Sequence, residues 1–176
     1  IGDSISIGYT AATRKLLKGV ANVHRIPTNG GPTTKGLASI EKWLGKSRWD
    51  VIHVNWGLHD LKYIKGKHQV PLPEYEKNLE RLAVRLKKTG ATVIWCSTTP
   101  VPEGCSPPRK DSDVLAYNAV AAKIAGRHAM QVNDLYTFAK PRLKKIQRAK
   151  NVHFTPQGSR VLAGQVASTI QAALKR

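Results

Sequence analysis

A chain of 176 residues suits one domain with a full-size core, and 41% hydrophobic residues exclude wholesale disorder. Lysine and arginine total 29 against 11 acidic residues, a formal net charge of +18, which speaks to partners and not to fold. No apolar run approaches the roughly 18–20 residues that a bilayer span needs, so no membrane span is expected. The first residues do not read as a secretory signal; a leader removed by processing leaves the compartment open, secreted or periplasmic included.

Tyr9 to Lys18 reads as a helix stopped by Gly19, and Ala21 to Ile26 as a short strand running into the loop Pro27 to Pro32. Thr33 or Thr34 can cap the next helix, which carries Leu37, Ile40, Trp43 and Leu44 on one face. Val51 to Asn55 is a buried-strand pattern that leads into Trp56-Gly57-Leu58-His59-Asp60, followed by a basic loop with Lys62, Tyr63, Lys65, Lys67 and His68. Pro73 suits the first turn of a helix whose stripe is Tyr75, Leu79, Leu82, Ala83 and Leu86. Ala91 to Cys96 is the next strand, and Ser97 to Lys110 a proline-rich loop. Asp111 or Asp113 caps a helix with Val114, Tyr117, Val120 and Ile124 facing inward. Met130 to Val132 is a short strand ending at Asn133-Asp134, and a helix runs from about Leu135 to Ile146. Thr155-Pro156 opens the last helix, with Leu162, Val166, Ile170 and Leu174 on one stripe.

Strands alternate with helices, which predicts a parallel sheet covered on both faces and joined by right-handed crossovers. Ligands bind such sheets along the edge formed by loops after strand C-termini. Gly2–Ser6, Gly30–Pro32, Trp56–Asp60, Thr98–Lys110 and Asn133–Asp134 all fall there, and residues 1–176 read as a single domain. A sheet of this kind places a central strand before the Gly-Asp-Ser turn, yet only Ile1 stands there, so a first strand truncated before Ile1 is expected. The chain has 2 cysteines, Cys96 and Cys105, and a bridge across the loop between them is sterically conceivable.

Chemistry concentrates at the two ends. Ile1-Gly2-Asp3-Ser4-Ile5-Ser6 presents a small serine in a turn, and Asn151-Val152-His153-Phe154 presents a histidine. Serine is a poor nucleophile until a neighbouring base takes its proton, so Ser4 and His153 are the candidate pair. On these residues the chain resembles the SGNH (GDSL-type) hydrolase family along nearly its whole length. The resemblance implies a flavodoxin-like three-layer α/β/α sandwich with a central parallel sheet. It further implies a serine esterase for short acyl groups, plausibly acetyl groups on carbohydrate, working without metal or organic cofactor. By the same resemblance, the oxyanion hole comprises the backbone N–H of Ser4, that of Gly31 (or its neighbour Gly30) and a side chain of the Gly57-Leu58-His59-Asp60 block. That block departs from the family pattern: His59 stands where the family has asparagine, and Asn55 is a spare donor nearby. The last block departs too, with Lys150 where the family has the aspartate that orients the histidine. A backbone carbonyl or another acid, Asp134, then becomes the candidate orienting group. Trp56 and Tyr63 are candidates to line the substrate rim, with Lys62, Lys65, Arg109 and Lys110 able to greet an anionic group. The competing reading is a weakly active or inactive protein on the same scaffold that binds RNA, DNA or an acidic glycan. It rests on the two replaced positions and the charge of +18, and against it stand the even spread of basic residues and the lack of any nucleic-acid-binding signature.

Overall fold

The computed structural model describes residues 1–175. In chain order the elements are α1 (Ser4–Leu16), α2 (Thr33–Leu44), β1 (Val51–Val54), β2 (Tyr63–Ile64), β3 (Lys67–His68), α3 (Leu72–Lys87), β4 (Thr92–Cys96), α4 (Asp111–Arg127), β5 (Gln131–Asn133), α5 (Leu135–Ala139), a 3₁₀ turn (Lys140–Arg142), α6 (Leu143–Ile146) and α7 (Pro156–Leu174). β1, β4 and β5 form a parallel sheet in that order, with Val51 opposite Thr92 and Ile94 opposite Gln131. α1 and α7 pack on one another, with α7 also against β1 and β5, while α2, α3 and α4 make the other layer. This is the three-layer sandwich expected from the alternation of elements. No helix among the described residues is long and apolar enough to cross a membrane.

The helix stripes carry the packing. Tyr75, Leu79, Leu82, Ala83 and Leu86 of α3 are all buried, as are Val114, Tyr117 and Ile124 of α4 and Leu162 and Val166 of α7. A fully buried side chain of the leucine size contributes about 1.5–3 kcal/mol, so these stripes fix the two helical layers on the sheet. Thr155 caps α7 as expected, its hydroxyl oxygen accepting from the Gly158 N–H at 2.9 Å.

Several elements differ from expectation, each for a local reason. α1 starts at Ser4 and not Tyr9, because the Asp3 carboxylate accepts from the Ile5 N–H at 2.9 Å and caps it. Residues 21–26 are not a strand. A groove of about 910 Å³, lined by this segment together with Val51, Ile52 and His53, separates it from the β1 edge, so no strand pairs with it among the described residues. Ile1 bridges to that edge, donating from its amino group to the His53 carbonyl at 2.8 Å and accepting from the Asn55 N–H at 3.1 Å. The basic loop contains the β2–β3 hairpin, whose turn residues Lys65 (φ 49°) and Gly66 (φ 77°) both take the left-handed conformation that two-residue hairpin turns require. Pro141 lacks the N–H a helix interior needs, so the helix expected over 135–146 is broken into α5, the 3₁₀ turn and α6. Neither Thr33 nor Thr34 caps α2, because the Thr33 N–H and hydroxyl both donate to Asp60 Oδ1, at 2.8 and 2.6 Å. Asp111 and Asp113 sit in the first turn of α4 and do not cap it. Cys96 and Cys105 are free and buried.

Candidate active site

Chain ends that are far apart in sequence meet at the C-terminal edge of the sheet. Ser4 Oγ lies 2.9 Å from His153 Nε2, and both residues are half-buried, within reach of solvent. Ser4 is placed by α1, of which it is the first residue. Its own N–H has no acceptor among the described residues, as befits the first turn of a helix, and there it lies at the positive end of the helix dipole. Arg25 braces this turn from behind: Nη2 donates to the carbonyls of Gly2 (3.1 Å) and Asp3 (3.3 Å), and Nη1 to those of Ile26 (2.7 Å) and Thr28 (3.0 Å).

His153 sits on a stapled loop. Arg148 N–H donates to the His153 carbonyl at 3.0 Å, Thr155 N–H to the Ile146 carbonyl at 2.9 Å, and Val152 and Phe154 are buried on either side. Its imidazole is oriented by Asn151, a residue the sequence reading had not singled out. Asn151 Oδ1 lies 2.9 Å from the His153 backbone N–H and 2.7 Å from ring Nδ1. A backbone N–H can only donate, which assigns oxygen to the facing atom of Asn151. Nδ1 must then carry the ring proton, and the lone pair on Nε2 faces the Ser4 hydroxyl. Lys150, at the position where the family has aspartate, takes a left-handed conformation (φ 51°) and runs its stem towards Gly104 instead of the imidazole.

Asp134 is corrected as an orienting acid. Its Oδ1 accepts from the Ser97 hydroxyl at 3.0 Å and the Thr137 N–H at 3.1 Å, which makes it the cap of α5. A signal for Asn151 was present in the sequence: an asparagine side chain readily accepts from the backbone N–H two residues on, and His153 is two residues on.

The expected oxyanion donors are arranged unequally. Gly31 takes φ 62°, which suits glycine, but its N–H donates to Asn29 Oδ1 at 2.9 Å. The Gly30 N–H donates to the Gly2 carbonyl, also at 2.9 Å. Asn55 donates from Nδ2 to the Cys96 carbonyl at 2.8 Å and ties β1 to β4. The ring of His59, in contrast, makes no hydrogen bond among the described residues, so it and the Ser4 N–H are the uncommitted donors. The turn that delivers His59 depends on Gly57, whose φ of 140° and position 2.4 Å (for an added Cβ) from Thr98 Oγ1 allow no side chain. Leu58 and Asp60, on either side of His59, are held by Arg109 and Thr33.

Trp56 is corrected as a rim residue. It is 1% exposed, buried under α2 with its indole against Gly36, and no sugar can stack on it. Tyr63 belongs to the β2–β3 hairpin, where its hydroxyl donates to Asp113 Oδ2 at 3.0 Å and Lys110 lies over its ring. Arg109 donates from Nε to the Leu58 carbonyl at 2.8 Å, next to His59.

Electrostatics at the mouth are those of a desolvated, positively charged site. Burial is the first cause that lowers His59, to about 4, with Lys62, Arg109, Lys35 and His153 adding to it. His59 is therefore neutral at ordinary pH and offers one N–H. Burial likewise lowers His153 below the usual 6.5, assisted by Arg148 and Arg109. Asp3 is raised by burial, against the lowering effect of its backbone hydrogen bonds from Ile5 and Ser6 and of nearby Arg109 and Arg25.

The GDSL-like lipase/acylhydrolase family model matches residues 1–161. Among solved structures, the acetyl xylan esterase AlAXEase superposes with a TM-score of 0.80 at 20% identity over 96% of each chain. A lipase/acylhydrolase from Enterococcus faecalis gives 0.80 at 19% identity, over 97% of this chain and 93% of that one. An acetylxylan esterase from Geobacillus stearothermophilus gives 0.77 at 21%, over 93% and 80%. These likenesses show the fold, and no curated protein matches in sequence. Family match, fold and motif order agree: the chain belongs to the GDSL-like lipase/acylhydrolase family, the SGNH-type carboxylic ester hydrolases.

Proposed function

We propose that the protein hydrolyses short-chain acyl esters, acetyl groups on carbohydrate among them, with Ser4 as nucleophile and His153 as base. The observation that carries this reading is the relay from Ser4 Oγ to His153 Nε2 at 2.9 Å and from His153 Nδ1 to Asn151 Oδ1 at 2.7 Å. Supporting it, several structural neighbours are named as acetylxylan esterases, and catalytic mutants of one of them replace a serine or a histidine by alanine.

The chemistry follows from the groups present. Ser4 Oγ attacks the ester carbonyl as its proton passes to His153 Nε2, and the carbonyl oxygen becomes an oxyanion. The uncommitted N–H of Ser4 and the ring N–H of His59 supply its hydrogen bonds, each such donor being worth about 3–4 kcal/mol in the transition state. The Gly31 N–H, which donates to Asn29 Oδ1, is not among these uncommitted donors. The tetrahedral intermediate collapses, the C–O bond to the alcohol breaks, and the imidazolium gives its proton to the leaving oxygen. Water then attacks the acyl-Ser4 carbonyl, again deprotonated by His153, and releases the acid.

Acetate release from an acetylated xylo-oligosaccharide, alongside p-nitrophenol release from the acetate and octanoate esters, tests the proposal. Turnover of the acetyl substrates, with the octanoate slower and Ser4→Ala inactive on all of them, is the expected result. Hydrolysis at the parent rate in Ser4→Ala would remove Ser4 from the mechanism.

A further inference from the structure

A half-buried cation that forms no ion pair among the described residues stands beside the proposed catalytic pair. Arg109 Nε donates to the Leu58 carbonyl at 2.8 Å and Nη1 to the Pro107 carbonyl at 2.9 Å, so the guanidinium is held in one orientation by backbone at the residue next to His59. Nη2 donates to no protein oxygen among the described residues, and the other polar neighbour is the thiol of Cys105. No carboxylate pairs with it: the ion pairs of the described residues engage Glu41, Glu76, Glu80, Asp111 and Asp113 elsewhere. Asp3 acts on Arg109 only through space, since its carboxylate hydrogen-bonds the α1 turn, Asp134 caps α5, and Glu103 on the same loop forms no ion pair with it.

Removing a cation from water without pairing it is unfavourable, and proteins retain such a group where something supplies the missing charge. Lys35 and Lys62 bear on His59, and Arg148 on His153, so the mouth is cationic from several sides. Lys35 holds its ammonium on the Asn29 carbonyl at 2.8 Å, beside the Gly31 turn, with no acid partner either. A guanidinium fixed through Nε and Nη1 still has Nη2 to donate, a charged donor suited to a carboxylate.

We propose that Arg109 is a specificity-determining residue that binds a carboxylate on the substrate, and that the preferred esters are acetylated uronic acids and not neutral acetylated sugars. This rests on the esterase reading above and narrows its substrate class. The carboxylate would lie on the alcohol half of the ester, balance the guanidinium, and hold the scissile carbonyl over Ser4.

The test compares acetate release from an acetylated methyl glucuronoside and from the matching acetylated methyl glucoside at low ionic strength. A charge-assisted hydrogen bond corresponds to a preference of about tenfold to a hundredfold in kcat/KM for the uronate. The ratio is expected to fall towards one in Arg109→Gln, to survive in part in Arg109→Lys, and to shrink in high salt. A ratio near one in the parent overturns the proposal, as does a full ratio retained in Arg109→Gln. Because the ratio is taken between two acetyl esters, a general loss of activity in a variant cancels. If both sugars are cleaved only when Ser4 is present but at equal rates, the carboxylate preference fails and the esterase reading stands. If cleavage survives Ser4→Ala, the esterase reading is what fails.

Discussion

Replacing Ser4 by alanine is expected to lower kcat on p-nitrophenyl acetate by about 10⁶-fold, and replacing His153 by alanine to cost nearly as much. The two side chains share one proton at 2.9 Å, so neither works alone: the hydroxyl without the imidazole is a weak nucleophile, and the imidazole without the hydroxyl has nothing to activate. The double variant should therefore be no slower than the worse single one. The residual rate in all three would come from the backbone N–H of position 4, which every variant retains, and from His59. KM should move little, since neither replaced group is needed to hold the ground-state ester. Steady-state kinetics on the three variants checks this, and losses that multiply in the double variant would mean that the pair does not act as a unit.

Asn151 is expected to give the second largest effect, and in two directions. Asn151→Ala removes the acceptor that fixes both the tautomer and the plane of His153, and should lower kcat/KM by about 10²–10⁴-fold, the range for a disabled general base. In serine triads an amide in place of the acid is damaging because it can turn its NH₂ towards the imidazole and impose the wrong tautomer. Here the backbone N–H of His153 holds Asn151 Oδ1 in place, so the useful tautomer is kept. What the amide does not supply is negative charge. The imidazolium formed during attack is stabilised only by dipoles, while burial, Arg148 and Arg109 all oppose it.

The sign of the pH effect follows. His153 is a base only when neutral, and its pKa is lowered, so activity in the parent should persist below the ordinary histidine value of 6.5 before it falls in acid. Asn151→Asp places a carboxylate against Nδ1 and should raise that pKa by about 1–3 units. The acid limb of kcat/KM then moves upward by the same amount, with activity lost at low pH and gained, by about tenfold, above the new pKa. A pH–rate profile on parent and Asn151→Asp is the measurement. Superimposed acid limbs would show that Asn151 does not contact the working base.

Much of the architecture was legible because it rests on local patterns. The stripe from Tyr75 to Leu86 and the apolar runs at 51–55 and 91–96 specify helix and strand whatever lies beside them. The Ser4 turn and His153 were legible because their chemistry depends on residue type. Contacts set by neighbours were not. Residues 21–26 have strand-like composition, but a strand forms only when another backbone pairs with it, and the groove beside β1 provides none. Trp56 ends a strand at the site edge and reads as a rim aromatic; that it turns under α2 depends on Gly36 leaving room for the indole. Asp134 reads equally as acid or cap, and only the position of the α5 N-terminus decides. Asn151 was overlooked because the family pattern directs attention to Lys150, one residue earlier.

The central claim is that Ser4, activated by His153, forms a covalent bond to the acyl group. An active-site phosphonate or organophosphate ester that traps serine nucleophiles tests it most directly, with the intact mass and then the tryptic peptides read by mass spectrometry. The account predicts one adduct per chain, located on Ser4, forming in step with loss of esterase activity and much more slowly in His153→Ala. An adduct on Ser6 or any other residue, or full inactivation with Ser4 unmodified, would contradict it.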